Sequence, residues 1–469
     1  ISGFKYGEVG MMMLSEAAAA IGGSLIGADV RFASVGTDSR DIARGQLFVA
    51  LKGDHFDGHD YLEQAMNQGA SAVLVSEDKG VTPAIVVNDT CQALGKLASF
   101  WRKKFTAPFV AITGSNGKTT IKEMLVAVLA NHAGGAEKIH ATVGNLNNHI
   151  GLPLTLLKLR AHHRYSVLEM GMSHLGEIAY LADIAKPDVA VISNAGTAHI
   201  GEVGSRSNIA QAKGEIFSGL TGDGVAVINA DDDYADYWKS LNTNRKIVTF
   251  GLNANADVSA TFKEKSGACH VQLTTKMGQA DFMLNALGTH NVRNALAACA
   301  ATVALGISIK EIADGLSQFH AVKGRLQRKL GVNHALVIDD TYNANPDSMR
   351  AAIDVLAKLS GKKILVLGDM GELGSDAPRM HAEIGAYAKA ADIEVLYCFG
   401  ELSQAAVNSF GVGARHFSHI DTLIDALLQE MRQGDSVLVK GSRFMKMERV
   451  VNAIVIDADN KNQMNEEVH

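Results

Sequence analysis

The segment Phe109-Val110-Ala111-Ile112-Thr113-Gly114-Ser115-Asn116-Gly117-Lys118-Thr119-Thr120 begins as a short apolar, β-branched run and ends on Gly-Lys-Thr. After it, Ile121, Met124, Leu125, Val128 and Leu129 recur at i, i+3, i+4, i+7 and i+8, the stripe of an amphipathic helix. A strand, a glycine-rich turn and a helix in that order form a phosphate-binding loop in the context its chemistry requires. Glycine lets successive backbone N–H groups face phosphate oxygens, and the helix N-terminus adds partial positive charge. Lys118 can then reach the terminal phosphates, and Thr119 can place its hydroxyl on Mg²⁺. The spacing is G-x-x-G-K-T, two residues shorter than the common G-x-x-x-x-G-K-[ST].

Similar apolar runs recur at Val167–Met170, Val189–Ser193 and Val225–Asn229, and again at Ala335–Ile338, Ile364–Leu367, Val395–Phe399 and Val437–Val439. None alternates with polar residues, so each reads as a strand covered on both faces. Interleaved helical stretches predict an α/β protein with parallel sheets, whose ligands gather beyond the carboxyl ends of the strands.

Texture divides the chain into three expected domains: 11–106, 107–325 and 326–457. The first is a small α/β unit with short strand signals at Leu47–Leu51, Ala72–Val75 and Ile85–Val87. The second is the phosphate-loop unit, carrying a polar, alternating, β-like insert at Asp257–Leu287. The third has a Rossmann-like look, but no G-x-G-x-x-G fingerprint occurs in the chain. Residues 1–10 read as a leader or trimmed extension, and 458–469 as a polar tail. In the Met11–Leu14 opening, Ser15 is expected to cap a helix that Gly22-Gly23 ends.

A chain of 469 residues exceeds one hydrophobic core. Its 46 glycines, about 10% where about 7% is usual, fit many tight turns, and its 6 prolines argue against proline-rich linkers. With a net charge of −6 and no long basic run, nothing marks a nucleic-acid or anionic-membrane binder. No apolar run reaches 18 residues, so no membrane span is expected. Cys91, Cys269, Cys299 and Cys398 lie far apart with no CxxC spacing and read as buried thiols of a reducing cytoplasm.

The residues just beyond each strand carry the chemistry. Glu169 ends Val167–Met170, where an acid can hold Mg²⁺. Ser193-Asn194-Ala195-Gly196-Thr197-Ala198-His199 lies at the same edge, although a lone histidine is more often structural. Lys213 sits inside the helical stripe Ile209, Ala212, Ile216, Phe217 and Leu220. Snorkelling along its edge and pointing into a site are both open to it. His290-Asn291-Val292-Arg293-Asn294 opens an alanine-rich helix, and Lys323-Gly324-Arg325 could bring an arginine to a transferring phosphoryl group. Asp339-Asp340-Thr341-Tyr342-Asn343-Ala344-Asn345-Pro346 is too polar and bulky for a mere turn, and Lys440-Gly441-Ser442-Arg443 repeats the theme with two cations. His162-His163 reads as an exposed turn, and Asp231-Asp232-Asp233 as a capping or solvated run.

Taken together, these segments resemble the Mur ligases, the ATP-dependent amide-forming enzymes of peptidoglycan precursor synthesis. The resemblance rests on Thr113–Thr120, Glu169, Asn194…His199, Ala212-Lys213-Gly214, His290-Asn291…Asn294, Gly324-Arg325 and Asp340, in family order over nearly all of 11–457. The shortened phosphate loop is the form this family uses. Within it, Gly144-Asn145-Leu146-Asn147-Asn148, Ile150–Pro153, Asp340–Pro346, Thr37–Arg40 and Leu47–Gly53 resemble the member that adds D-alanyl-D-alanine, and the Asp-Asn-Pro-Arg of the diamino-acid-adding member is absent.

The resemblance implies a cytoplasmic, monomeric enzyme joining D-Ala-D-Ala to UDP-N-acetylmuramoyl-tripeptide through an acyl phosphate. It implies ATP contacts from Thr113, Gly114, Ser115, Asn116, Gly117, Lys118, Thr119, Thr120, Asn291, Asn294, Arg325, Asp340, Tyr342 and Asn345. One Mg²⁺ would lie on Thr119 and Glu169, and a second on His199 and Lys213, the lysine as a carbamate formed with CO₂. Lys118, Glu169, His199, Lys213 and Arg325 would be the catalytic set. Thr37, Ser39, Arg40, Lys52, Asn145, Asn147 and Asn148 would serve the UDP substrate, and the third domain would close over the second. The rival readings are a sister Mur or folylpolyglutamate-synthetase-like ligase and, more distantly, a P-loop switch. For the switch, the Asn-Lys-x-Asp of a GTPase is missing.

Overall fold

The computed structural model describes residues 10–198, 200–253, 255–265 and 267–456. Among the described residues the strands pair into four sheets, each confined to one stretch of chain. A five-stranded sheet orders Ser24–Ile26, Ala84–Val86, Ala72–Val75, Gln46–Val49 and Ser34–Gly36, parallel except for its first pair, and a two-stranded ribbon pairs Met12–Met13 with Arg31–Phe32.

A nine-stranded sheet holds the phosphate-loop strand Phe109–Thr113 between Val189–Ile192 and Tyr165–Glu169. Ile139–Ala141 lies beyond Tyr165–Glu169, and Val225–Asn229 with Lys246–Phe250 beyond Val189–Ile192, all parallel. Strand order therefore reverses at Phe109–Thr113, which opens a crevice at its carboxyl end. The expected β-like insert forms three antiparallel strands, Val258–Lys265, Ala268–Thr275 and Gly278–Leu284, which extend this sheet.

A six-stranded sheet orders Gln327–Leu330, Leu336–Asp340, Ser436–Lys440, Lys363–Gly368, Val395–Phe399 and Ala414–Phe417, parallel apart from its first pair. Asp340 and Lys440 are register partners at the carboxyl ends of adjacent strands.

Every expected strand is present, its ends within two residues of the apolar run, because the runs are the parts covered on both faces. The first helix differs in detail. It spans Leu14–Ile21 with Met13 at its cap position, so Ser15 lies inside it. Ser15 N and Oγ instead donate to Asp29 at 2.8 and 2.7 Å, and that carboxylate supplies the acceptor the helix end needs. Gly22, at φ 72°, ends the helix. No helix among the described residues is long and apolar enough to cross a membrane.

Candidate active site

The phosphate loop is held open by its neighbour. Ser115 N donates to Asn194 O and Asn116 N to Asn194 Oδ1, both at 3.0 Å, while Ser193 Oγ donates to Asn116 O at 2.6 Å. Gly196 N closes the network on Ser115 Oγ at 2.9 Å. Both loop glycines are obligatory: Gly114 (φ 148°) would bring a Cβ within 1.8 Å of Ser193 Oγ, and Gly117 (φ 86°) within 2.3 Å of Asn294 Oδ1.

The helix Lys118–Ala133 begins directly after the loop. Lys118 Nζ folds back to donate to Gly114 O at 2.6 Å, so it lies over the anion cradle. Burial pulls its ammonium down to about 8, with Arg325 adding repulsion and Glu169 opposing it. A phosphate there would meet a desolvated cation, which strengthens the attraction.

Below the loop, Thr119 Oγ1 donates to Glu169 Oε2 at 3.1 Å and accepts from Arg325 Nη2 at 2.8 Å. Glu169 is 1% exposed, and among the described residues its other oxygen, Oε1, has no hydrogen-bond partner. A hydroxyl oxygen beside a carboxylate with an unsatisfied oxygen is a donor set that suits a hard divalent cation such as Mg²⁺. Lys213, on the helix Arg206–Gly214, is 1% exposed, and among the described residues no carboxylate pairs with it. Burial, aided by repulsion from Lys118, holds its amine well below the ordinary lysine value. His199 lies outside the described residues. Among the described residues no three His, Cys, Asp or Glu side chains cluster as a metal site. Among the described residues, a metal here would draw on the Thr119 hydroxyl, the Glu169 carboxylate and a lysine-derived ligand.

The far wall comes from the six-stranded sheet. Asp340 Oδ2 accepts from Lys440 Nζ at 2.7 Å, and its Oδ1 from Leu326 N at 3.1 Å. The Arg325 guanidinium stacks 4.2 Å from the Tyr342 ring centroid. Asn345 Nδ2 donates to Asn116 Oδ1 at 2.7 Å, and Asp347 Oδ2 accepts from Thr197 N and Oγ1 at 2.7 and 2.8 Å.

A cleft of about 980 Å³ runs between these walls. Lys118, Thr119, Glu169, Asn291, Asn294, Arg325, Asp340, Tyr342 and Asn345 all line it, as do Asn145, Asn147 and Asn148. Asn291 does not cap its helix, which starts at Thr289 after Gly288. Its Nδ2 donates to Leu287 O at 2.7 Å, and its Oδ1 accepts from Asn294. Thr37, Ser39, Arg40 and Lys52 stand apart from the cleft, Arg40 in an ion pair with Asp38 at 2.8 Å and Lys52 3.7 Å from Asp57. The acidic run Asp231–Asp233 ties loops together: Asp231 takes Leu252 N, Asp232 takes Ala195 N and Asp233 meets Arg206.

Three charged residues escaped the sequence reading. Asp347 passes for an ordinary first-turn acid, and Glu372 lines the cleft at an unusual φ of 61° that no local pattern announces. Lys122, between Ile121 and Met124 on a buried face, carries the same signal that singled out Lys213.

Comparison with known proteins agrees over most of the chain. Residues 31–102, 112–302 and 324–443 match the family models described as "Mur ligase family, catalytic domain", "Mur ligase middle domain" and "Mur ligase, glutamate ligase domain". The chain is 42% identical over 446 residues to the UDP-N-acetylmuramoyl-tripeptide--D-alanyl-D-alanine ligase of Escherichia coli K12, covering 94% of this chain and 98% of that one. It is 39% identical to the Bacillus subtilis enzyme of the same name, covering 90% and 93%. A crystal structure of MurF from Acinetobacter baumannii superposes with a TM-score of 0.88 at 37% identity, covering 93% of this chain and 97% of that one. MurF ligase from Thermotoga maritima in complex with ADP superposes at 0.82 with 29% identity, covering 90% and 96%. The folylpolyglutamate synthase of Mycobacterium tuberculosis shares the fold at 17% identity and a TM-score of 0.63. This chain belongs to the Mur ligase family.

Proposed function

We propose that the protein joins D-alanyl-D-alanine to UDP-N-acetylmuramoyl-tripeptide at the expense of ATP. The observation that carries this reading is the cleft, where a phosphate loop, a buried carboxylate and an arginine from the end of the second region face one another. Relatives 39–42% identical over at least nine-tenths of the chain bear that activity in their names. We infer three domains, 11–106, 107–325 and 326–457, a division supported by sheets that do not share strands across those limits.

The chemistry proceeds in two displacements. The tripeptide carboxylate attacks the γ-phosphorus, forming an acyl phosphate as ADP leaves. The dipeptide amine then attacks the acyl carbon, and the tetrahedral intermediate collapses with loss of phosphate and the amine's proton. Lys118 and the loop amides balance charge on the transferring group, and Arg325, fixed by Thr119 and stacked on Tyr342, adds a second cation. Thr119 and Glu169 would hold one Mg²⁺, and Lys213, as a carbamate with His199, a second. Such ions polarise phosphoryl oxygens and neutralise developing charge.

Carbamate formation joins an uncharged amine to CO₂ with release of one proton. The burial that favours neutral Lys213 suits that step. Asn291, Asn294, Asp340 and Asn345 would contact the nucleotide, and Asn145, Asn147 and Asn148 the substrate arm. Thr37, Ser39, Arg40 and Lys52 would meet its UDP end in the first domain. We assign a cytoplasmic, monomeric enzyme on the same reading, to which four unpaired thiols are suited.

The test is phosphate release with ATP and either the meso-diaminopimelate or the L-lysine tripeptide, with and without D-Ala-D-Ala. Release that requires both peptides is expected. Release indifferent to the dipeptide would point to a sister ligase or an ATPase.

A further inference from the structure

Lys122 follows Lys118 by one helical turn, yet it is only 4% exposed and does not line the cleft. Its Nζ donates to Thr142 O at 2.7 Å, meets Glu123 Oε1 at 2.7 Å and points its remaining side at Glu169 Oε1, 3.7 Å away. That oxygen is the one with no hydrogen bond. Thr142 ties the two residues into a frame: its carbonyl holds Lys122, while its hydroxyl accepts from Glu169 N at 2.9 Å. From the cleft side, Thr119 grips the other carboxylate oxygen. The Glu169 carboxylate thus lies between a hydroxyl bonded to it in front and an ammonium 3.7 Å behind.

An ammonium buried this deeply is costly unless it compensates another charge; Glu123 takes part of that role from a half-exposed position, and Glu169 is the buried carboxylate beside it. Anchoring one carbonyl would not require a charge, since a neutral amide could do it. We propose that Lys122 is a positioning residue for the reaction, fixing the Glu169 carboxylate from behind so that it presents its oxygens to the metal of Mg·ATP. The proposal rests on Glu169 being a metal ligand. Groups behind a ligand typically govern metal affinity by about 10- to 100-fold.

The test measures Mn²⁺ binding by electron paramagnetic resonance on the full chain with saturating ADP and no peptide substrates, beside ADP affinity in EDTA and thermal melting. Lys122→Met is expected to weaken Mn²⁺ binding by about tenfold or more, with metal-free ADP affinity unchanged within about twofold. Lys122→Arg, which keeps the charge, is expected to recover most of the loss. Lys122→Gln keeps a donor for the Thr142 carbonyl without the charge, and covers the case in which the methionine variant melts early. It too is expected to weaken Mn²⁺. Wild-type Mn²⁺ affinity in Lys122→Gln, or an equal loss of metal-free ADP binding, would overturn the proposal. Glu169→Gln separates the two levels. If it weakens Mn²⁺ while the Lys122 variants do not, only the role of Lys122 falls; if it leaves Mn²⁺ binding intact, the reading of Glu169 falls with it.

Discussion

The central sheet has two joints, built from opposite materials. Toward the first region, the helix Thr90–Arg102 packs so closely that residues from Met11 to Trp238 form one continuous apolar cluster. Trp101 Nε1 donates to Leu159 O at 3.2 Å, and Arg102 reaches Ala185 O and Lys186 O at 2.8 and 2.9 Å. Toward the third region, the contacts are small and polar. Asn116 meets Asn345, Thr197 meets Asp347, and Gly201 N donates to Glu372 O at 3.1 Å. The third region keeps its own two apolar clusters, to which Leu287 and Ile200 are the central contributions. Buried apolar area resists separation in any direction, whereas a few hydrogen bonds exchange readily with water. The polar joint is also the one that borders the cleft, where substrates must enter and leave.

The largest expected effect tests the apolar joint. Trp101→Ala should cost about 3–5 kcal/mol, read as an early transition in urea or heat; an unchanged midpoint would mean that the joint is not a shared core. At the cleft, Lys213→Ala should lower turnover roughly 100-fold without lowering the melting temperature, because it removes a buried amine that no carboxylate among the described residues partners. Added short carboxylates should restore part of the rate; full activity would remove Lys213 from the site.

At the polar joint, Asp347→Ala should raise the KM for ATP roughly tenfold, as loss of charge-assisted bonds implies. Its melting point should shift by only about 3 °C or less. A large fall in stability would make this joint structural rather than working. The smallest effect is that of pH. Free Lys118 loses its proton as pH rises through about 8, whereas bound phosphate favours the charged form. ADP affinity should therefore fall above pH 8 by at most about tenfold per unit. In Lys118→Arg the affinity, however low, should stay flat across that range.

Local patterns made much of this legible. The phosphate loop announces itself through Gly114, Gly117 and Lys118 because strand, turn and helix are contiguous in sequence. Runs such as Val225–Asn229 are readable because a strand covered on both faces shows no polar alternation. Contacts between distant segments left no such trace. Asp29 displaces Ser15 as the acceptor at the first helix through a loop, and Asn345 reaches Asn116 across 229 positions. Lys122 was legible in principle, by the same rule as Lys213, but it stood in the shadow of the neighbouring loop. Glu372 combines a positive φ with a carbonyl that accepts from Gly201 N, a contact that no short-range pattern encodes.

The most direct measurement follows one oxygen atom. With the tripeptide's reacting carboxylate labelled with ¹⁸O, the account predicts that one labelled oxygen appears in the phosphate released, in step with pentapeptide formation and only when D-Ala-D-Ala is present. Phosphate free of label while the pentapeptide accumulates would contradict the acyl-phosphate route on which the reading of this cleft depends.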